Sequence, residues 1–204
     1  MPQSPLDEIL HRIRSLQSQL EREFDQLLKE KQAQFRYRLE KGKVIFDNGV
    51  RDIHQRYRTG IWAYLRAAKI SSLLTAPVIY SVIVPLVLID LSVTLYQLIC
   101  FPVYGIAKVK RKDYLIFDRH HLDYLNLIEK ANCLYCSYGN GMIAYVREII
   151  ARTEQYWCPI KHAHQTMTQH ERMQDFADYG NAEEHIKKQQ QLRKALKPTR
   201  TEAP

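Results

Sequence analysis

The sequence predicts an all-α protein in which a membrane-embedded helical hairpin is flanked by hydrophilic helices. Three observations predict it. Residues 70–107 carry one charged side chain, Asp90, in 38 positions. Apolar residues in both flanks recur at helical rather than alternating spacing. Seven Gly and eight Pro in 204 residues are too few for an all-β chain that turns about every eight to twelve residues, or for a Gly- or Pro-rich disordered one. The mean hydropathy of −0.39 averages over this partition and hides it. Lys+Arg exceed Asp+Glu by eight, which points to an anionic partner, either nucleic acid or a phospholipid surface.

The first segment is residues 1–69. Its start, MPQSPLDEILHRIRSLQSQL, is charged and periodic and has no apolar core of a signal peptide. Leu6, Ile9, Ile13, Leu16, Leu20 and Leu27 follow heptad spacing, interrupted at Glu23 with Phe24 beside it. This predicts an amphipathic or coiled-coil helix that packs against a second copy, a protein partner or the rest of the chain. Ser4-Pro5 followed by Asp7 and Glu8 suits the helix start. From Lys29 to Lys69 a basic juxtamembrane helix follows, with 11 Lys+Arg against four acids. Aromatic residues interleave it, and Trp62 and Tyr64 stand where an interfacial belt belongs, beside Arg66 and Lys69. Because this stretch runs straight into the apolar segment, anionic lipid headgroups are favoured over nucleic acid as its phosphates.

Residues 70–107 are the membrane segment. A spanning helix takes roughly 20 apolar residues, so 38 are too many for one span and barely enough for two. Basic residues stand at both ends: Arg56, Arg58, Arg66 and Lys69 before, then Lys108, Lys110, Arg111 and Lys112 after. Since basic residues mark the cytoplasmic side, the expected form is a hairpin of 70–89 and 91–107 turning at Asp90. It spans or re-enters the membrane, with both termini cytoplasmic. Pro77 and Pro85 predict kinks in the first arm. Asp90 reads as a hydrated turn at the headgroups in preference to an intramembrane acid on an ion or substrate path, because no basic partner is evident for it. Cys100 reads as a small apolar residue.

Residues 108–164 hold the candidate chemistry. A cytoplasmic location disfavours disulfides and brings metal or redox roles forward. In linear order Cys133, Cys136, Cys158 and His162 resemble a Cys₃His zinc site. Helix geometry argues otherwise. Asp118 is a candidate N-cap for a helix over 119–137, Gly139-Asn140-Gly141 a break, and 142–157 a second helix of about 24 Å. An antiparallel hairpin hinged at Asn140 carries Cys158 away from the thiol pair and towards His120 and His121. The preferred expectation is therefore two clusters: Cys133/Cys136, and Cys158/His162 with His120/His121. Zinc or iron is the candidate ion, and a dithiol cycle is the alternative for the first pair. Glu129, Arg147, Glu148, Arg152 and Glu154 are candidates for charge networks between the two helices. No phosphate loop, dinucleotide fingerprint or nucleophile elbow is present.

The run Cys133-Leu-Tyr-Cys-Ser-Tyr-Gly-Asn-Gly-Met-Ile-Ala-Tyr-Val-Arg-Glu, followed by Ala151-Arg-Thr-Glu-Gln-Tyr-Trp-Cys-Pro-Ile-Lys-His-Ala, resembles a family of uncharacterised bacterial membrane proteins. Phe101-Pro-Val-Tyr-Gly-Ile-Ala-Lys-Val-Lys and Asp118-Arg-His-His-Leu fit it too, and the resemblance covers roughly residues 70–185. It implies a bacterial inner membrane location and carries no mechanism. Residues 165–204 form a polar tail, with a turn at 176–181, a short exposed helix over 182–196 and fraying beyond Pro198. The functional expectation is a membrane-anchored, non-enzymatic module with a Cys/His region that holds metal. The alternatives are a thiol- or metal-dependent enzyme at the membrane and a small transporter subunit.

Overall fold

A computed structural model describes residues 5–40, 43–164 and 169–198. The helix start at Ser4, residues 165–168 and the chain beyond Pro198 lie outside the described residues, as does the side chain of Leu6. The described chain is mostly helical, as its composition and periodicity predict. It divides into two compact units, residues 1–66 with 118–131 and residues 67–117 with 132–204.

The first unit opens with α1 (Pro5–Gln34). Arg36, at φ 50°, takes the left-handed conformation that ends such a helix, and the chain enters an antiparallel pair, β1 (Tyr37–Glu40) and β2 (Lys43–Phe46). The all-helical expectation missed this hairpin. Its signal is the alternation of Tyr37 and Leu39 with Arg38 and Glu40, read instead as part of a basic helix. Two helices follow, α2 (Asn48–Arg56) and α3 (Ile61–Ala67). Phe46, His54 and Tyr124 stack edge to face at 4.9 and 5.1 Å, and Arg51 Nε donates to Asp123 Oδ2 at 2.9 Å. These contacts tie β2 and α2 to the stretch before α6 (Leu127–Trp157).

That helix starts later than the sequence predicts. Residues 119–121 form a single 3₁₀ turn, and Asp118 makes no cap. The cap is Asn126: its Oδ1 accepts from the Glu129 backbone N–H at 3.0 Å, and Glu129 Oε2 accepts from the Asn126 N–H at 2.9 Å. This reciprocal capping box is legible in the sequence as Asn126-x-x-Glu129.

The second unit contains the apolar segment as α4 (Ile70–Ser81) and α5 (Ile83–Tyr104), in line except for one residue, Val82. Among the described residues this is the one stretch long and apolar enough to cross a membrane, Ile70–Tyr104. The hairpin turn expected at Asp90 is absent: Asp90 lies mid-helix in α5. The interruption falls at Val82 because Pro85 ends α4. Its ring crowds the carbonyl four residues back, at Ser81, while its missing N–H costs nothing in the first turn of α5. The reversal comes at Gly105, whose φ of 66° closes α5 with the Ile106 N–H on the Phe101 carbonyl at 2.8 Å.

From Gly105 the chain runs back along α5 as an extended strap. The Val109 N–H reaches Gln97, and Arg111 reaches Asp90. α6 then runs parallel to α4 and α5. Tyr135 donates to the Ile79 carbonyl at 2.6 Å, Tyr80 stacks on Tyr135, Gln97 meets Tyr145, and Tyr104 stacks on Trp157. Gly139 and Gly141 do not break this helix, which is continuous for 31 residues. A Cβ on Gly141 would stand 2.6 Å from the Tyr114 carbonyl oxygen and 3.1 Å from Leu115 Cα, so Gly141 is small where the strap crosses. The core lies around that crossing: Phe101, Ile106, Val109, Leu115, Met142, Tyr145 and Ile149, with Leu196.

The polar tail packs onto this core. Asn181 caps α7 (Ala182–Ala195) by accepting from the Glu184 N–H, at the turn the sequence marks. Phe176 and Ala177 are fully buried, and Ala177 exchanges backbone hydrogen bonds with Pro159 and Lys161. Leu196 is buried and its carbonyl accepts from Ala107, so the end of this helix is a core element rather than an exposed one.

Candidate functional site

Of the three buried residues of α5 two are polar, Asp90 and Gln97, and the third is Phe101. Asp90 and Gln97 are each 6% exposed, against 60% for Leu88 and 57% for Leu95 on the same helix and 73% for Leu74 on α4. Both carboxylate oxygens of Asp90 are taken. Arg111 donates through Nη1 to Oδ1 at 2.8 Å and through Nη2 to Oδ2 at 2.7 Å, and the Tyr138 hydroxyl donates to Oδ2 at 2.8 Å. Thr94 adds a 3.3 Å contact to Oδ1. Burial and this hydrogen bond to the carboxylate push the Tyr138 hydroxyl pKa up, which keeps it a donor. Asp90 thus has a basic partner, Arg111, a residue whose sequence position predicts the membrane interface.

About two turns further on, Gln97 Nε2 donates to the Tyr145 hydroxyl at 2.7 Å, and Gln97 Oε1 accepts the Val109 N–H at 2.6 Å. Together the Asp90 and Gln97 nodes satisfy an extended strap that has no ladder of its own. Gln97 carries no charge, so it leaves no mark on the charge pattern of the apolar segment.

A second network lies on α6. Glu148 accepts from Arg152 at 2.8 Å and from Arg172 at 2.6 Å, and Arg172 also donates to Gln155 at 2.9 Å. Burial works to raise the Glu148 pKa, but the hydrogen bonds from Arg172 and Arg152 outweigh it and hold the carboxyl below its ordinary value. Glu154 pairs with His170 at 2.7 Å, and Arg193 donates to the Tyr156 carbonyl at 2.8 Å. These bonds fasten the C-terminal segment along α6. The expected network between two helices is instead a network between one helix and the tail, through Arg172 and His170.

The candidate ligand residues separate. Cys133 and Cys136 stand three residues apart on continuous α6, half-buried and exposed. Cys158 follows the other end of the helix, about 33 Å along the axis from Cys136 at 1.5 Å per residue, which excludes the single Cys₃His site. The two-cluster arrangement depended on a fold-back at Asn140, and that fold-back is absent because the helix continues through both glycines. Burial, then the nearby Glu154 charge, push the Cys158 thiol pKa up. His162 is exposed. Among the described residues no three His, Cys, Asp or Glu side chains gather as a metal site.

His120 and His121 stand in the first unit, their rings 3.9 Å apart. They line a cavity of about 350 Å³ with Arg51, Asp123, Lys130 and the edge of β2 at Val44, Ile45 and Phe46. The remaining membrane-interface candidates are surface residues: Trp62 is 76% exposed, Tyr64 is half-buried, and Arg66, Lys69, Lys108, Lys110 and Lys112 are exposed.

Comparison with family models, with curated proteins and with solved structures found no match.

Proposed function

We propose that the protein is a membrane-anchored, non-enzymatic module whose anchor is the apolar segment Ile70–Tyr104. The observation that carries this reading is the inverted pattern of α4 and α5, with Asp90 and Gln97 inside and Leu74, Leu88 and Leu95 outside. A water-soluble helix of this composition would bury its leucines. One that meets hydrocarbon hides its polar groups instead.

The strap limits how far hydrocarbon reaches. Exposed Lys108, Lys110 and Lys112 run beside the Asp90–Gln97 stretch, where they suit anionic headgroups. Hydrocarbon then meets the exposed outer face of Ile70–Ile89, which enters the membrane without crossing it, since one full span there would part residues 1–69 from the reversal at Gly105. The location proposed is a bacterial inner membrane with both termini cytoplasmic, the reversal at Gly105 taking the role expected of a turn at Asp90. The closed coordination of Asp90 supports an anchor over a transport path, since a carboxylate with four donors has no vacancy for a moving ion.

The stripe of α1 supports a partner-binding arm: Ile9, Ile13, Leu16, Leu20 and Leu27 are all exposed, in a heptad pattern that suits a second copy. Cys133 and Cys136 support a second reading, a two-thiol site for zinc or iron that needs ligands from outside the chain. Alkaline extraction of membranes tests the anchor, and reporter fusions at Gln55 and Gln165 test its topology. The protein should resist extraction and both reporters should read cytoplasm. Release into the supernatant overturns the anchor, and reporters on opposite sides overturn the topology.

A further inference from the structure

We propose that the cavity between β2 and the 120–130 stretch is a binding site for a phosphate monoester. Its charge sets the class of ligand. Two permanent cations, Arg51 and Lys130, share the wall with one carboxylate, Asp123, so the wall is net positive even with neutral imidazoles. Among the described residues Asp123 takes only the Nε–H of Arg51, at 2.9 Å, and a guanidinium offers four further N–H donors. His120 and His121 each supply an imidazole, and the Nδ1 of His120 is buried with no hydrogen-bond partner among the described residues. A buried polar atom without a partner is costly, and here it belongs to a residue of the cavity wall.

Cations argue against a metal in this place. A divalent ion beside Arg51 and Lys130 is repelled, and the one carboxylate present is already committed. A dianionic phosphate instead matches a guanidinium fork, an ammonium and imidazole donors. Val44, Ile45 and Phe46 give the cavity an apolar side for the organic part of the ester. The volume, about 350 Å³, is at the small end of ligand pockets, which suits a headgroup-sized molecule. Both a phosphate-bearing lipid headgroup and a soluble phosphate ester present this chemistry. The site is independent of the anchor proposed above.

The test is calorimetric titration of the full chain in non-ionic detergent with inorganic phosphate, dihexanoyl phosphatidic acid and, separately, zinc. One-to-one saturable binding of phosphate, weakened at least tenfold in Lys130→Gln and largely restored in Lys130→Arg, establishes the site. Circular dichroism of each variant checks that it folds. Phosphatidic acid binding at least tenfold tighter than phosphate assigns the lipid source, and equal or weaker binding assigns the soluble ester. Absence of saturable binding of both phosphorylated probes overturns the proposal. So does phosphate binding unchanged in a folded Lys130→Gln, or a one-to-one zinc site lost in His120→Ala.

Discussion

Arg111 holds both carboxylate oxygens of Asp90, at 2.8 and 2.7 Å, and so pins a returning strap to a helix whose outer face is apolar. Asp90 is buried while the Arg111 side chain is 46% exposed, so one partner is desolvated and the other reaches water. Breaking such a pair from the Arg side leaves an uncompensated carboxylate. Arg111→Met should therefore lower stability in detergent by about 3 kcal/mol, the low end for a buried pair because Arg111 is half solvated. Adding Asp90→Leu to Arg111→Met should recover part of that loss, which a thermal-unfolding double-mutant cycle will read.

The two glycines of α6 should respond with opposite signs. A Cβ at Gly139 meets Leu86 Cδ1 at an ordinary 3.5 Å, so Gly139→Ala should gain up to about 1 kcal/mol of helix propensity. At Gly141 the neighbour is the Tyr114 carbonyl at 2.6 Å, which is backbone and cannot swing aside. Gly141→Ala should lose about 1–3 kcal/mol by overpacking, net of propensity. Unfolding midpoints of the two variants against the parent check this.

Those glycines also show what was legible in the sequence. The apolar segment, the amphipathic α1, the helical character of 142–157 and the cap at Asn181 follow from local pattern, because each is decided by residues within a few positions. Gly139-Asn140-Gly141 resembles a break locally, yet the strap requires a missing side chain at Gly141, and that demand comes from residues 114–115. Asp90 looks unpartnered for the same reason: Arg111 is 21 residues away and becomes a neighbour only through the reversal at Gly105. The thiol pair is visible as a motif. The separation of Cys158 from it follows from the continuity of α6 through Gly139 and Gly141. The cavity lined by Arg51 and Lys130 joins segments about 70 residues apart and has no signature in either.

Acid should loosen the C-terminal segment. The Glu148 carboxyl is held below its ordinary value of 4.5 in the folded protein, so its ion pairs contribute fully above about that pH. The contribution is lost as pH falls through the depressed folded value. Thermal stability should decline below about pH 4.5, and Glu148→Gln should be less stable at neutral pH with a flatter acid limb. Unfolding curves from pH 7 to pH 3 for both proteins measure this.

The exposed stripe of α1 should drive association of two copies. Leu16→Lys with Leu20→Lys places charges on the seam without touching a packed side chain, since both residues are more than half exposed. In detergent the parent should sediment as a dimer and the double variant as a monomer with unchanged helicity. A parent that sediments as a monomer assigns the stripe to a different partner.

The most direct test of the anchor is the depth of its outer face. Single nitroxides at Val78 and Leu88, both exposed on the apolar side, are reconstituted in anionic vesicles and relaxed by oxygen and by a water-soluble nickel chelate. The account predicts high oxygen and low nickel accessibility at both positions, with a label at Lys108 showing the reverse. High nickel accessibility at Val78 and Leu88 would contradict it and place this helix in water.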